Sequence, residues 1–281
     1  INDRSDQPFI YKNYIIVFNG EIYNFKKLRN DLIDNFSEKF ITNGDTEVLI
    51  KMFYNYGILD SLNKIEGMFS IGLLNKNTKK LYLIRDRLGE KPLYYYKSNS
   101  NIIFSSMPGP IAKTLNKFED KKFNLDYFTL SYYLCSGMFP KSNSLFYNIN
   151  SLKPGYFLEI DILSMSILEN KWWIPDFKKN IEYDDFDQNF EKLFENVVKD
   201  CLNSDCESKI LFSGGIDSGS IACFNNKIDY LTLENEELKY AKSFLNDISS
   251  EDKLIIIDKK FIDENIKNIK IKMRENINIS G

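Results

Sequence analysis

One ten-residue stretch limits the architectures open to this chain more than any other: Lys209-Ile210-Leu211-Phe212-Ser213-Gly214-Gly215-Ile216-Asp217-Ser218. An apolar run ends in Ser-Gly-Gly, Asp-Ser follows, and a second apolar segment runs from Ile221 to Phe224. That order predicts a strand, a tight turn and a helix start. Two glycines let the backbone bend sharply and let a ligand approach it closely. Unpaired N–H groups at a new helix end carry partial positive charge and suit a phosphate or pyrophosphate. Ser213 and Ser218 add hydroxyl donors. The same residues also suit an ordinary turn in which Asp217 or Ser218 caps a helix. No Gly-Lys-Ser/Thr follows, so the loop is not a Walker A loop.

The surroundings of this stretch are of α/β type. Tyr230–Leu233 and Leu254–Ile257 read as further strands, with a helix over Glu237–Asn246 between them. Alternation of strand and helix predicts the start of a parallel sheet. About three strands would be small for a doubly wound fold. Phe261–Met273 reads as one more helix. Upstream, Phe186, Phe190, Leu193, Phe194, Val197, Val198 and Cys201 fall at helical spacing, and their face is expected to be core. Trp172, Trp173 and Pro175 precede an acidic segment, Glu182–Asp187. A domain boundary is expected near residue 175, dividing the chain into 1–175 and 176–281.

The first part has a different rhythm. Tyr14–Phe18 is a β-branched and aromatic strand, ending at Asn19-Gly20-Glu21. Phe25, Leu28, Leu32 and Ile33 recur at helical spacing. Thr42-Asn43-Gly44-Asp45 reads as a turn with Asp45 or Thr46 as cap of a helix that buries Val48, Leu49, Met52, Phe53 and Tyr56. Met68–Leu74 and Lys80–Ile84 form a hairpin joined by Asn75-Lys76-Asn77-Thr78. A charged loop, Arg85 to Pro92, precedes a second hairpin, Leu93–Lys97 with Asn101–Ser105. A short helix over residues 126–134 and a strand Tyr156–Ile160 follow. Closely spaced strands with few helices predict an α+β domain.

Composition matters mainly for what it excludes. The 281 residues contain no histidine, which rules out Ser-His-Asp or Cys-His catalysis within the chain and any His-ligated metal site. Acid–base work falls to carboxylates, Lys, Tyr or a terminal amine. A net charge of −3 gives no reason to expect a nucleic-acid or anionic-membrane surface. No apolar run is long enough to span a bilayer. The four cysteines, Cys135, Cys201, Cys206 and Cys223, form no C-x-x-C pair. Buried free thiols in a reducing cytoplasm are the expectation.

Several short constellations suggest chemistry. Asn19-Gly20 can build an oxyanion site, because a carboxamide N–H and a backbone N–H can aim at one developing O⁻. Glu21 and Asp45 could hold a ligand ammonium. Each alone is equally at home in a turn or a helix cap. Together they run in the order Phe18-Asn19-Gly20-Glu21-Ile22-Tyr23-Asn24, Gly44-Asp45-Thr46-Glu47-Val48, Glu66-Gly67-Met68-Phe69, Arg85-Asp86-Arg87-Leu88-Gly89-Glu90-Lys91-Pro92-Leu93-Tyr94-Tyr95 and Phe104-Ser105-Ser106. This order resembles the glutaminase half of glutamine-hydrolysing asparagine synthetases. Ser213–Ser218 resembles the PP-loop of ATP pyrophosphatases, and Glu237-Leu238-Lys239-Tyr240-Ala241 is similar to a segment of the same family's synthetase half.

The resemblance implies an N-terminal-nucleophile amidohydrolase fold of α/β/β/α layers, followed by an adenine-nucleotide α-hydrolase-like, PP-loop fold. It implies glutamine hydrolysis by a terminal cysteine, adenylation of aspartate by ATP, and passage of ammonia through an internal tunnel to give asparagine. Asn19 and Gly20 would form the oxyanion hole, and Glu21 and Asp45 would hold glutamine. Ser213, Gly214, Gly215, Asp217 and Ser218 would bind ATP, with Leu211 beside the adenine. Mg²⁺ would be held mainly by the phosphates, with no protein metal site. Arg85, Asp86 and Lys91 are expected to be framework and inter-domain contacts. Glutamine, aspartate and ATP are the implied partners, with no nucleic acid and no membrane. A homodimer is admissible, and the compartment would be the cytoplasm.

The match departs from the family pattern in places. The family's Met-Cys-Gly start, its His-Arg-Gly-Pro-Asp segment and its second phosphate loop have no counterpart between Ile1 and Gly281. The expectation is therefore the middle of a longer enzyme, itself without glutaminase turnover. Gly219 stands where the family commonly has a second serine. Two alternatives stay open: a related synthetase acting on another carboxylate, such as a β-lactam precursor or a sugar acid, and an inactive remnant.

Overall fold

The computed structural model describes residues 6–119, 124–140, 142–177, 186–202, 207–224 and 228–266. Internal contacts divide the chain into two units, residues 1–179 and 180–281.

In the first unit, β1 (Phe9–Tyr11), β2 (Tyr14–Ile22), β3 (Gly67–Asn75), β4 (Lys80–Arg85), β8 (Tyr156–Asp161) and β9 (Ile167–Lys171) form one antiparallel sheet in the order β1-β2-β3-β4-β8-β9. A second sheet has the order β6-β5-β7, from β5 (Tyr94–Lys97), β6 (Ile102–Ser105) and β7 (Asn150–Ser151). The helices are α1 (Phe25–Phe36), α2 (Asp45–Tyr56), α3 (Ile58–Lys64), α4 (Pro108–Glu119) and α5 (Tyr127–Ser136).

The layering follows from the period-two alternation of the strands. Phe69, Ile71, Leu73, Ile84 and Phe157 face one side, where they meet Leu28, Leu32, Val48, Met52 and Phe53 from α1 and α2. Leu81, Leu83, Leu158 and Ile160 face the other side, against Leu93, Leu152, Tyr95 and Phe104. The far face of the second sheet is covered by Ile111 and Leu115 of α4, against Tyr96. Helix, sheet, sheet, helix is the α/β/β/α arrangement that the family resemblance implies.

The loop after β4 is organised by Asp86, which is 1% exposed. Its Oδ1 accepts the N–H groups of Leu88, Gly89 and Glu90, and its Oδ2 those of Lys91 and Phe69. The Arg85 guanidinium donates to the carbonyls of Gly89, Lys91 and Leu152. Burial pushes its pKa down, and neighbouring Asp86 opposes that. The framework role expected of Arg85 and Asp86 is thus visible within this loop, where Lys91 takes part through its backbone N–H and carbonyl.

In the second unit, β10 (Ile210–Leu211), β11 (Tyr230–Leu233) and β12 (Leu254–Ile257) form a parallel three-stranded sheet. It is connected through α7 (Ile216–Phe224) and α8 (Leu238–Asp247) and preceded by α6 (Phe186–Leu202). Phe212, Tyr230, Ala222, Ala241 and Leu245 make its core. Residues 259–266 are helical; the remainder of the helix expected to Met273 lies outside the described residues, as do most of the acidic segment and Cys206.

Four expectations need correction. The strand expected to end before Asn19 continues to Ile22, because Gly20 and Gly67 let β2 and β3 stay paired at close approach. Asp45 is not a cap; Gly44 is the N-cap residue and Asp45 opens the helix. Cys135, Cys201 and Cys223 are exposed rather than buried. The apolar face of α6 is not core: Phe186, Phe190, Leu193 and Val197 are exposed, and only Val198 is buried among the described residues. Among the described residues this helix packs on α7, where the Phe194 and Phe224 ring centroids lie 5.4 Å apart, and the rest of its apolar face is left exposed. Among the described residues, no helix is long and apolar enough to cross a membrane.

Candidate functional site

Each unit carries one candidate site. In the first, β2 supplies Asn19, Gly20 and Glu21 from inside the sheet, opposite Ser70, Phe69 and Met68 of β3. Gly20 has φ +154°, and a Cβ there would sit 2.0 Å from the Met68 carbonyl oxygen. Only glycine fits that conformation and that approach. Pleating puts the Asn19 and Glu21 side chains on the same face of the strand.

The exposed Asn19 carboxamide donates from Nδ2 to Ser106 Oγ at 3.0 Å. Ser106 follows β6, so this bond links the two sheets. A cavity of about 210 Å³ opens beside the pair and is lined by Gln7, Phe18, Asn19, Ser70, Phe104 and Ser106, among others. Gly72 leaves room for Phe104, whose ring atoms would lie 2.5 Å from a Cβ at that position. Gly20, Glu21 and Asp45 do not line this cavity.

Asp45 reaches the strand from the helix layer. Its Oδ2 accepts the Ile22 N–H at 3.1 Å, one residue past Glu21. Burial raises its pKa, while the N–H groups of Ile22, Asp45 and Thr46 pull it back.

The segment leading to Asp45 is clamped by residues that the motifs did not reveal. Arg29 donates to the carbonyls of Thr42 and Gly44. Glu47, 2% exposed, accepts the N–H groups of Ile41 and Thr42 and pairs with Lys51 at 2.8 Å. Lys51 also donates to the Lys39 carbonyl. Burial alone would raise the Glu47 pKa; the Lys51 ammonium and the two N–H groups outweigh it and hold it below the ordinary value of 4.5. The four-residue spacing of Glu47 and Lys51 was a readable signal. Nothing local marked Arg29.

In the second unit, β10 ends at Leu211, which is 80% exposed, and Phe212 turns into the core. Ser213, Gly215 and Asp217 are exposed, and Gly214 and Ser218 are half-buried. Ser213 Oγ accepts the Gly215 N–H at 3.3 Å and lies 3.3 Å from Ser218 Oγ. Asp217 stands in the first turn of α7. Gly214 has φ +77°, and a Cβ there would lie 2.6 Å from the Ala241 nitrogen, so it packs directly against α8. The result is a backbone turn at the surface, opening a helix whose N-terminus faces out. This arrangement suits phosphate oxygens. At Gly219 a Cβ would meet the Phe244 ring at 2.9 Å. That ring occupies the room a serine would need.

Comparison with known proteins adds an independent line. The family model described as "Glutamine amidotransferase domain" matches residues 1–173, and the model described as "Asparagine synthase" matches residues 189–271. Asparagine synthetase [glutamine-hydrolyzing] 2 of Bacillus subtilis (strain 168) is 31% identical over 265 residues, covering 86% of this chain and 34% of the relative. A putative asparagine synthetase [glutamine-hydrolyzing] 2 of Methanocaldococcus jannaschii is 32% identical over 210 residues, covering 74% of this chain and 39% of the relative. The chain thus spans somewhat over a third of the length of these two curated relatives.

Proposed function

The chain belongs to the glutamine amidotransferase family, whose model spans its residues 1–173, and from that premise we propose that it is part of an enzyme forming asparagine from aspartate, ATP and glutamine-derived ammonia. In this reading residues 1–175 belong to the ammonia-releasing domain and residues 176–281 to the ATP-using domain. The observation that carries it is the pairing of two signatures in one chain: Asn19-Gly20-Glu21 on β2 with Asp45 bonded to the next amide, and an exposed Ser213–Ser218 turn opening α7.

The chemistry assigned to the first site is amide hydrolysis through a tetrahedral intermediate. Attack on the glutamine side-chain carbonyl develops an O⁻, which the Asn19 carboxamide and the Gly20 N–H receive. Glu21 and Asp45 hold the amino-acid end of glutamine. Collapse of the adduct expels ammonia and leaves a thioester, and water then cleaves the thioester to glutamate and the free thiol. A terminal cysteine thiolate is the nucleophile this scheme requires.

In the second site the aspartate side-chain carboxylate attacks the α-phosphorus of ATP. The bond to pyrophosphate breaks, and β-aspartyl-AMP forms. Ammonia then displaces AMP and leaves asparagine. Ser213, Gly214, Gly215, Asp217 and Ser218 take the phosphates, and Leu211 borders the adenine. The oxygen donors present, the hydroxyls of Ser213 and Ser218 and the Asp217 carboxylate, suit Mg²⁺ carried mainly by the phosphates. Mg²⁺, when bound, neutralises charge on the departing pyrophosphate.

The test is made on the full-length gene product supplied with aspartate, ATP and glutamine. Asparagine, AMP and pyrophosphate are expected together, and ammonium salts should replace glutamine. Pyrophosphate release with another carboxylate but none with aspartate would transfer the reading to a different amide-forming synthetase. No pyrophosphate release with any carboxylate would end it.

A further inference from the structure

A carboxamide is an effective oxyanion donor only when its N–H is aimed before the charge appears. Asn19 is poorly placed to achieve this alone. It is exposed, and the last torsion of an Asn side chain is broad and soft. Yet its Nδ2 is held by one specific partner, Ser106 Oγ, at 3.0 Å. An amide nitrogen has two N–H donors. Committing one to Ser106 fixes the plane of the carboxamide, and the second N–H has no acceptor among the described residues.

The neighbouring serine does a different job. Ser105 Oγ accepts the Met107 N–H at 3.3 Å and so shapes the turn after β6. Ser106 reaches from that turn to Asn19 of the six-stranded sheet, and both residues line the cavity.

We infer that Ser106 is a positioning residue for amide hydrolysis: its hydroxyl accepts one N–H of Asn19 and so aims the other at the developing oxyanion. This rests on the reading of Asn19 as an oxyanion donor. Ser106 touches no reacting atom. Its effect is confined to the transition state, where the charge develops, so it should change kcat and leave KM for glutamine alone.

The experiment measures glutamine hydrolysis by the full-length enzyme in four forms: wild type, Ser106→Ala, Asn19→Ala and the double variant. Asn19→Ala removes the donor and should lower kcat by about 10²–10³-fold. Ser106→Ala leaves the donor present but unaimed and should lower kcat about tenfold, short of that limit, with KM within about twofold. Ser106→Thr keeps an oxygen at the same place and should recover most of the loss. The double variant should be no slower than Asn19→Ala, because the serine acts only through the asparagine. Thermal midpoints report folding, and Ser106→Cys replaces Ser106→Ala should the latter not fold.

Wild-type kcat in Ser106→Ala would overturn the inference, as would a further loss added by Ser106→Ala in the Asn19→Ala background. If Asn19→Ala hydrolysed glutamine at the wild-type rate, the reading of Asn19 itself would fail and the inference with it. The two failures are therefore distinguishable.

Discussion

Asp86→Asn tests the first unit most directly, because the change is nearly isosteric and removes acceptors without removing volume. The carboxylate accepts five backbone N–H groups, three on Oδ1 and two on Oδ2. A carboxamide has one oxygen. If that oxygen keeps the Oδ1 set, its NH₂ end faces the N–H groups of Lys91 and Phe69; the opposite rotamer strands three donors. At least two donors therefore lose their acceptor, partly or fully buried ones costing about 1–3 kcal/mol each. The remaining bonds lose their charge assistance. A total of about 3–5 kcal/mol follows, against a typical domain stability of about 5–15 kcal/mol.

The assay is urea unfolding followed by tryptophan fluorescence. Both tryptophans, Trp172 and Trp173, lie in the first unit, so the signal reports that unit. Trp172 stacks on Phe69 and donates to the Arg85 carbonyl, immediately beside the altered carboxyl group. With a urea slope of about 2 kcal/mol/M, the midpoint should fall by about 2 M. A fall smaller than about 0.5 M with an unchanged slope would refute the reasoning, since the five N–H groups would then have found other partners.

Three further outcomes are expected. Gly20→Ala places a methyl group into the Met68 carbonyl at a positive φ, so β2 and β3 must separate locally; a loss of about 3 kcal/mol or more in the same assay is expected, together with loss of glutamine binding by calorimetry. Acidification should weaken the first unit through Glu47 and Glu38, whose folded pKa values lie below the ordinary 4.5. The unfolded chain then binds more protons, so their stabilisation is present above that value and is lost as pH falls through the folded pKa. The urea midpoint should drop on going below pH 4.5, and Glu47→Gln should flatten the drop. Asp45, raised by burial, acts in the opposite sense, so Asp45→Asn should steepen it. Gly214→Ala meets the Ala241 backbone at 2.6 Å; titration with a fluorescent ATP analogue should show at least a tenfold weaker affinity, and unchanged affinity would count against the phosphate role of the turn.

Much of the fold was legible because it is written in short-range signals. Helix α2 follows from apolar residues at helical spacing between Val48 and Tyr56, and the β3–β4 hairpin from its turn, where Asn75 Oδ1 accepts the N–H groups of Asn77 and Thr78. The strand, turn and helix around Ser213–Ser218 were readable from two glycines and the apolar runs beside them. The candidate residues were also nameable, but their arrangement was not. That β2 runs on through Gly20 depends on Gly67, far along the chain, offering a matching close approach.

The amino-acid order alone marked most of the longer strands and helices, though not β1, α3, α4, β7 or β9, and showed which residue types are available for chemistry, because period and turn propensity act over a few neighbours. Tertiary structure decided who meets whom. It took the Asp45 carboxylate to the Ile22 amide, gave Asn19 its Ser106 partner from another sheet, and filled the space beside Gly219 with the Phe244 ring. It also left the apolar stripe of α6 exposed. An amphipathic pattern specifies a face, but whether that face is covered depends on surface supplied by residues distant in the chain.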